Sequence, residues 1–250
     1  MKLSQVIIVL CNPDEAQNIG SVCRAMLTMD ITNLRIVGKR ENYDINRVNM
    51  LALHAKHLFE NAEFFDSLEQ ATNDCILIAG TTRRTGQKRK HLLLPHEFTS
   101  LAFTIPDSQS ETDGRFAIVF GNERTGLTDA ELDICTVGVT IPTSEQFGSL
   151  NLAQAVQIFT YELHSEFIKN SKNNSDRESF TPITINQLDK MLDSMLLNLE
   201  TIGFFKQSGN EYMRNFWKSI FTRSILSQSE ADYIEKTFNK IAGLNFKKQN

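Results

Sequence analysis

The sequence predicts an α/β fold, a parallel sheet covered by helices on both faces, followed by a small all-α C-terminal extension. Three observations carry this prediction. Continuous apolar runs such as Val6-Ile7-Ile8-Val9-Leu10 have the pattern of strands buried on both faces. They alternate with segments whose apolar residues recur every three or four positions, as in helices packed on a parallel sheet. After a polar stretch near residue 170, only the helical spacing remains.

The elements follow in order. Val6–Leu10 is the first strand. Asn18–Met29 reads as a helix, with Ile19, Val22, Met26 and Met29 on one face and Asn18 as a candidate N-cap. Leu34–Gly38 is strand-like, and Met50–Phe65 is helical through Leu51, His54, Leu58 and Phe59. Cys75–Gly80, Phe116–Phe120 and Val137–Ile141 are further strands, and Leu152–Phe167 is a helix. The stretch from Asn170 to Glu178, polar and without aromatics, is a linker by composition, ending near Pro182. Beyond it, Ile185, Leu188, Leu192, Met195 and Leu199 recur at helical spacing, with Met191 and Leu196 widening the stripe. A helix over Glu211–Thr222 is expected to bury Tyr212, Phe216, Trp217 and Ile220. A last helix starts at the capping box Ser227-Gln228-Ser229-Glu230 and stops at Gly243. The expected division is residues 1–168 for the sheet domain, 169–182 for the linker and 183–250 for the helical extension.

A chain of 250 residues, 41% hydrophobic and 22% charged, has the composition of a globular protein. No apolar run approaches the roughly 18 residues that cross a membrane, and Met1-Lys2-Leu3-Ser4 leads into the first strand without a small-residue cleavage site. Cys11, Cys23, Cys75 and Cys135 are scattered, with no Cys-x-x-Cys pair for zinc or a redox dithiol. Reduced, buried thiols in a cytoplasmic protein are expected, and no metal site. The net charge of −4 does not announce a polyanion binder. The helical tail, residues 180–250, has nine Lys and Arg against seven Asp and Glu, while the rest of the chain is acidic. A basic run, Arg83 to His91, includes Arg84, Lys88, Arg89 and Lys90. It reads either as a solvated loop or as a nucleic-acid contact.

Three polar stretches stand at ends of strands or starts of helices. Gly121-Asn122-Glu123-Arg124-Thr125-Gly126-Leu127-Thr128 follows one strand and ends in the capping box Thr128–Glu131. It lacks the lysine of a phosphate-binding P-loop. It reads either as a connection in which Gly126 supplies an unusual backbone angle or as a ligand loop. No Gly-x-Gly-x-x-Gly follows any strand, so a dinucleotide fingerprint is absent. In Ile141-Pro142-Thr143-Ser144-Glu145-Gln146-Phe147-Gly148-Ser149-Leu150-Asn151-Leu152, capping explains Ser149 or Asn151 but not both. In Asn18-Ile19-Gly20-Ser21-Val22-Cys23-Arg24-Ala25-Met26, Gly20 suggests a close approach to the helix backbone, and Arg24 lies within an apolar sequence.

Together these stretches resemble the three motifs of the SPOUT superfamily of RNA methyltransferases, in its 2'-O-methylating TrmH branch. The match is NIGSVCRAM, FGNERTGLTDAEL and IPTSEQFGSLNLAQAV, in family order, over about residues 5–165. The continuation TYEL and the helical tail most resemble the TrmJ-type tRNA (cytidine/uridine) 2'-O-methyltransferases. Two letters depart from that pattern: Asn122 where Arg is usual and Gly148 where Ser is common.

The resemblance implies a deep trefoil knot in the C-terminal part of the sheet domain, S-adenosyl-L-methionine as cofactor, and a homodimer with a composite active site. Cofactor-binding positions would be Thr81, Thr82, Arg83, Gly121, Ile141, Gly148, Ser149 and Leu150. Catalytic positions would be Arg24, with Asn18, Glu123, Ser149 and Asn151 positioning ribose, cofactor and arginine. Arg24 matches the arginine often assigned as base, but a guanidinium normally keeps its proton. Holding a phosphate and stabilising the developing alkoxide suits it better. Arg84, Lys88, Arg89 and Lys90 would contact RNA. The implied substrate is tRNA, at the cytidine or uridine of anticodon-loop position 32, and neither DNA nor a membrane is an expected partner. The alternatives are an rRNA 2'-O-methyltransferase and an RNA-binding protein of the same fold without catalysis.

Overall fold

The computed structural model describes residues 2–83, 92–105, 114–171, 180–205 and 210–246. Six strands form one sheet: β1 (Val6–Cys11), β2 (Asn33–Val37), β3 (Glu63–Phe65), β4 (Leu77–Thr81), β5 (Phe116–Phe120) and β6 (Val137–Val139). Every pairing is parallel, in the order β3-β2-β1-β5-β4-β6. Because strand side chains alternate, β1 feeds both sides. Val6, Ile8 and Leu10 enter one core, while Ile7, Val9 and Cys11 enter the other.

The first face is covered by α1 (Ala16–Leu27), α2 (Ile45–Ala52), α3 (Lys56–Glu60), α5 (Pro95–Ala102) and α7 (Leu152–Ser171). On the second face lie α4 (Leu68–Thr72) and α6 (Asp129–Ile134), two short helices that contribute Leu68, Ala71 and Leu132. The C-terminal helices are α8 (Ile185–Thr201), α9 (Asn210–Ser224) and α10 (Gln228–Phe246). Ile185, Leu188, Met191, Leu192 and Met195 of α8 share the core of this second face with Ile7, Val9, Ile78, Ala117 and Val119. Backbone bonds anchor its start, from Ile185 N to Cys75 O (2.7 Å) and from Ile183 N to Leu226 O (2.9 Å).

Several elements differ from the sequence expectation. The helix expected over Asn18–Met29 runs from Ala16 to Leu27 with Glu15 at its N-cap, so Asn18 lies inside it. The segment expected as one helix from Met50 to Phe65 is broken at Leu53, whose φ of +52° forces a 3-10 turn between α2 and α3. Its last three residues form β3, since pairing of Arg35–Val37 with Glu63–Phe65 satisfies their backbone where a helix would have ended. The strand expected over Val137–Ile141 pairs only to Val139. Helix α7 continues to Ser171, past the start of the polar stretch, and Asn170 Nδ2 donates to Glu166 O (2.9 Å). Tyr212 and Phe216, expected to be buried, are 78% and 47% exposed, because α9 lies against α8 on a narrow face. Gly243 does not end α10, which continues to Phe246. The capping box at Ser227 is formed, Ser227 N donating to Glu230 Oε2 (2.8 Å) and Glu230 N to Ser227 Oγ (3.3 Å).

Gly20 does answer to a close approach: a Cβ there would stand 2.1 Å from Val48 O of α2. The neighbour is therefore a packed helix. At the opposite end of the sheet from the strand termini that matter below, buried Arg35 donates two bonds to Asp74 (2.6 and 2.9 Å) and one to Ala71 O. Arg115 adds a third bond to Asp74 (3.1 Å). Burial alone would raise the Asp74 pKa, but the hydrogen bonds and charges of Arg35 and then Arg115 outweigh it and hold it down at about 2. Cys11, Cys23 and Cys75 are buried and free, and burial pushes their thiols up, Cys23 to about 12. Cys135, expected to be buried, is half-exposed at the end of α6.

Candidate active site at the carboxyl ends of β4, β5 and β6

The carboxyl ends of parallel strands leave room for a ligand. Here a cavity of about 310 Å³ opens beyond β4, β5 and β6. From β4 come Thr81, Thr82 and Arg83, from β5 Gly121, and from the chain after β6 Ile141, Gly148, Ser149 and Leu150. All eight positions named from the resemblance for the cofactor thus line one space. Leu127, Val139 and Leu152 give it apolar walls that the sequence reading did not name. Thr81 Oγ1 donates to Val119 O (2.9 Å) and Thr82 N to Val139 O (2.9 Å), which fixes the β4 end against its neighbours.

The glycine loop is folded on itself. Gly126 N donates to Asn122 O (2.8 Å), and the Asn122 carboxamide oxygen accepts from Arg124 N (2.9 Å). Gly126 has φ +67°, which suits glycine. A Cβ on Gly121 would lie 2.2 Å from Gly126 C and Leu127 N, so the hairpin closes only over a glycine. Asn122 Nδ2 also donates to Asn12 O (2.8 Å), and Arg124 Nε pairs with Asp14 Oδ2 (2.9 Å). The letter that departs from the family pattern therefore ties the loop to the end of β1. At the far end, Thr128 N donates to Glu131 Oε2 (2.7 Å) and Glu131 N to Thr128 Oγ1 (3.2 Å), forming the expected capping box of α6.

The three motifs meet in one hydrogen-bond chain. Asn151 Nδ2 donates to Asn18 Oδ1 (2.9 Å), and Asn18 Nδ2 donates to Glu123 Oε1 (2.9 Å). Glu123 Oε2 accepts from Asp14 N (2.7 Å), and Oε1 also accepts from Glu15 N (3.4 Å). The carboxylate sits at the positive end of α1, bonded to the two amides just before its first residue. Asn151 has a second task, its Oδ1 accepting from Ala153 N (2.9 Å) in the first turn of α7. Burial, then the negative charges of Glu123 and Asp14, push Tyr43 up to about 12, so this tyrosine stays neutral beside the chain. Asn12-Pro13-Asp14, a turn signal after a strand, was the available sequence clue to these unnamed neighbours.

Arg24 does not join the chain. It lies six residues beyond Asn18 on α1, about 9 Å along the axis, is exposed, and has no side-chain partner among the described residues. Ser149 lines the cavity with its hydroxyl likewise unpaired among the described residues. Arg84, Lys88, Arg89 and Lys90 lie outside the described residues. Among the described residues, no cluster of His, Cys, Asp and Glu could hold a metal ion, and no helix is long and apolar enough to cross a membrane.

Known proteins resemble this chain in sequence and fold. A tRNA/rRNA methyltransferase of Haemophilus influenzae, itself uncharacterized, is 34% identical over 235 residues, covering 93% of this chain and 92% of its own. The tRNA (cytidine/uridine-2'-O-)-methyltransferase TrmJ of Salmonella choleraesuis is 31% identical over 224 residues, 89% of this chain and 90% of its own. Among solved structures, TrmJ from Z. mobilis ZM4 has the same fold with a TM-score of 0.69 at 23% identity, covering 94% of this chain and 98% of its own. The sequence profile of the SpoU rRNA methylase family matches residues 5–161, the whole span from the first strand to the middle of α7. The chain belongs to the SpoU rRNA methylase family.

Proposed function

We propose that this chain is an S-adenosylmethionine-dependent methyltransferase that modifies a ribose 2'-hydroxyl of tRNA. The observation that carries the reading is the chain Asn151–Asn18–Glu123 beside the cavity at the strand ends. Family membership and relatives named for tRNA 2'-O-methylation support the chemistry and the substrate class. The cavity fits a nucleoside donor, with apolar walls for a base and glycines at 121 and 148 that let its own loops pack closely around it. Bound there, the cofactor supplies a methyl group on a sulfonium.

The residues of the chain do the rest. Thr81, Thr82, Gly121, Ile141, Gly148, Ser149 and Leu150 hold the donor together with the main chain of Arg83. Glu123, whose oxygens already accept bonds from two backbone amides and Asn18, positions rather than deprotonates. Asn18 and Asn151 fix the distance between the ribose and the donor side, since transfer needs oxygen and methyl carbon within roughly 3–3.5 Å. Arg24 holds the phosphate beside the target ribose and stabilises the alkoxide, while the proton leaves through phosphate or water. Its exposure and lack of a partner support a composite site in a homodimer, where the arginine of one protomer serves the cavity of the other.

The pairing of β6 outside β4, with α7 returning to pack on α1, supports a trefoil knot in this segment. Residues 1–168 would be the methyltransferase domain and 183–250 a helical extension docked on its second face after a connection at 169–182. We place the enzyme in the cytoplasm and its target at the pyrimidine of position 32 in the anticodon loop. Arg84, Lys88, Arg89 and Lys90 would contact the RNA. The family description, together with a relative named for both RNA classes, favours rRNA as the second reading.

The test is transfer of labelled methyl from S-adenosylmethionine to unfractionated tRNA and to rRNA, with nucleoside mass spectrometry of the product. A 2'-O-methylated pyrimidine in tRNA is the expected result. Product in rRNA alone would select the second reading, and donor binding without transfer would leave an RNA-binding protein.

A further inference from the structure

Two side chains beside Gly148 are left unused by that mechanism. Phe147 is 82% exposed, the most open of the large apolar side chains described, and it belongs to neither core. Single exposed apolar residues are common, but the backbone that carries this one is braced. Ser144 Oγ accepts from Gln146 N (3.3 Å) and Phe147 N (3.4 Å), and Thr143 Oγ1 donates to Gly148 O (3.0 Å). The ring is therefore presented to solvent from a held loop, one residue from the cavity wall. Leaving a phenyl ring in water forgoes a favourable burial that a stacking partner would restore.

Against Gly148 itself lies the Arg83 guanidinium, with Nη1 2.5 Å from where a Cβ on residue 148 would stand. Any side chain at this position would crowd that nitrogen, as well as Ser144 O and Thr143 Oγ1 (both 2.9 Å), and glycine leaves them room. Arg83 is exposed and has no ion pair or hydrogen bond among the described residues. The other charged groups of the cavity are committed, Arg124 to Asp14 and Glu123 to the start of α1. An aromatic ring one residue before Gly148 and a guanidinium against Gly148, without a partner among the described residues, thus stand at the rim of the donor cavity.

We propose that Phe147 and Arg83 form a nucleotide clamp for single-stranded RNA. The ring stacks on a base of the substrate, and the guanidinium binds a phosphate oxygen of the same strand. The inference rests on the RNA methyltransferase reading and adds to it the positioning residues on the donor side. Unpaired RNA is the ligand that offers a π-face and an anionic oxygen within one nucleotide. Stacking tolerates any base, so the clamp orients the strand without selecting its sequence.

The test uses the full chain and unfractionated tRNA. Phe147→Ala should weaken tRNA binding about tenfold to a hundredfold and raise KM more than it lowers kcat. Phe147→Trp should retain binding. Made with Trp217→Phe, which removes the only native tryptophan, it gives an indole whose fluorescence is quenched by tRNA and not by S-adenosylmethionine. Arg83→Gln should lower tRNA affinity and reduce the log–log salt slope by about 0.7–0.9; because it is the main chain of residue 83 that meets the donor, calorimetry should show no loss of cofactor affinity. Three outcomes would overturn the clamp: unaltered tRNA binding in Phe147→Ala, a shift of that variant's oligomeric state showing that a second copy covers the ring, or lost cofactor affinity in Arg83→Gln showing that the guanidinium serves the donor's carboxylate. A wild-type protein that transfers no methyl group to any RNA would overturn the methyltransferase reading, and the clamp with it. Normal wild-type transfer alongside an unaffected Phe147→Ala overturns the clamp alone.

Discussion

At the scale of single residues, two arginines show how partnership separates structural from chemical work. Arg35 is buried and satisfied by Asp74, Ala71 O and Glu63, whereas Arg24 is exposed and bare among the described residues. Arg24→Ala should therefore leave the melting temperature and cofactor affinity nearly unchanged while methyl transfer falls at least about tenfold, or 1.4 kcal/mol. Near-normal turnover would remove it from the reaction. Asp74 makes the opposite prediction. Its pKa is lowered from 3.8 to about 2, so its contribution is present above the unfolded pKa and is lost as pH falls from about 4 through 2. Asp74→Asn should destabilise the protein by about 2 kcal/mol at neutral pH, a figure discounted for the carboxylate's partial exposure. Urea denaturation at a series of pH values should also show a flatter acid limb in the variant.

At the scale of elements, glycines sort by what they touch. A Cβ on Gly20 would run into Val48 O of α2, so Gly20→Ala should cost about 3 kcal/mol although alanine is the better helix former. Gly243 in α10 has open space around it, and Gly243→Ala should gain about 0.5 kcal/mol. Opposite signs in urea denaturation check the pair. The same comparison marks what a sequence can tell. Local codes were legible: the β-branched runs of β1 and β5, the capping boxes of α6 and α10, and the glycine that admits a neighbour. Features set by partners far along the chain were not. β3 owes its three residues to pairing with β2, and Phe64 and Phe65 fit a helix or a strand equally well in isolation. Helix α5 carried a readable start, Pro95 at its first position with Glu97 bonded back to Leu94 N (2.8 Å), but the helix is only eight residues long and half of them are polar. The identities of the site residues came from motif resemblance. The bond from Asn151 to Asn18 joins residues 133 apart and had no local signal at all.

At the scale of the whole molecule, the sheet needs its C-terminus. The five-residue α4 and six-residue α6 are too short to cover the second face, and the 17-residue α8 completes it. Leu192, fully buried in that core, links the two parts. Leu192→Ala should cost about 3 kcal/mol and lower the melting temperature of the entire chain by about 6–12 °C in a single calorimetric transition. Two separated transitions would show that the helices and the sheet fold independently. The covering also sets an order of events during synthesis. When α7 has left the ribosome, the first face can close, yet the second still shows Ile7, Val9, Ile78, Ala117 and Val119 to water. About 30 more residues must follow before α8 can cover them, roughly 2–6 seconds at ordinary elongation speed. For that interval the nascent chain is an open hydrophobic sheet. Its yield in the cell is then governed by holdase capture and translation rate as much as by the stability of the finished enzyme.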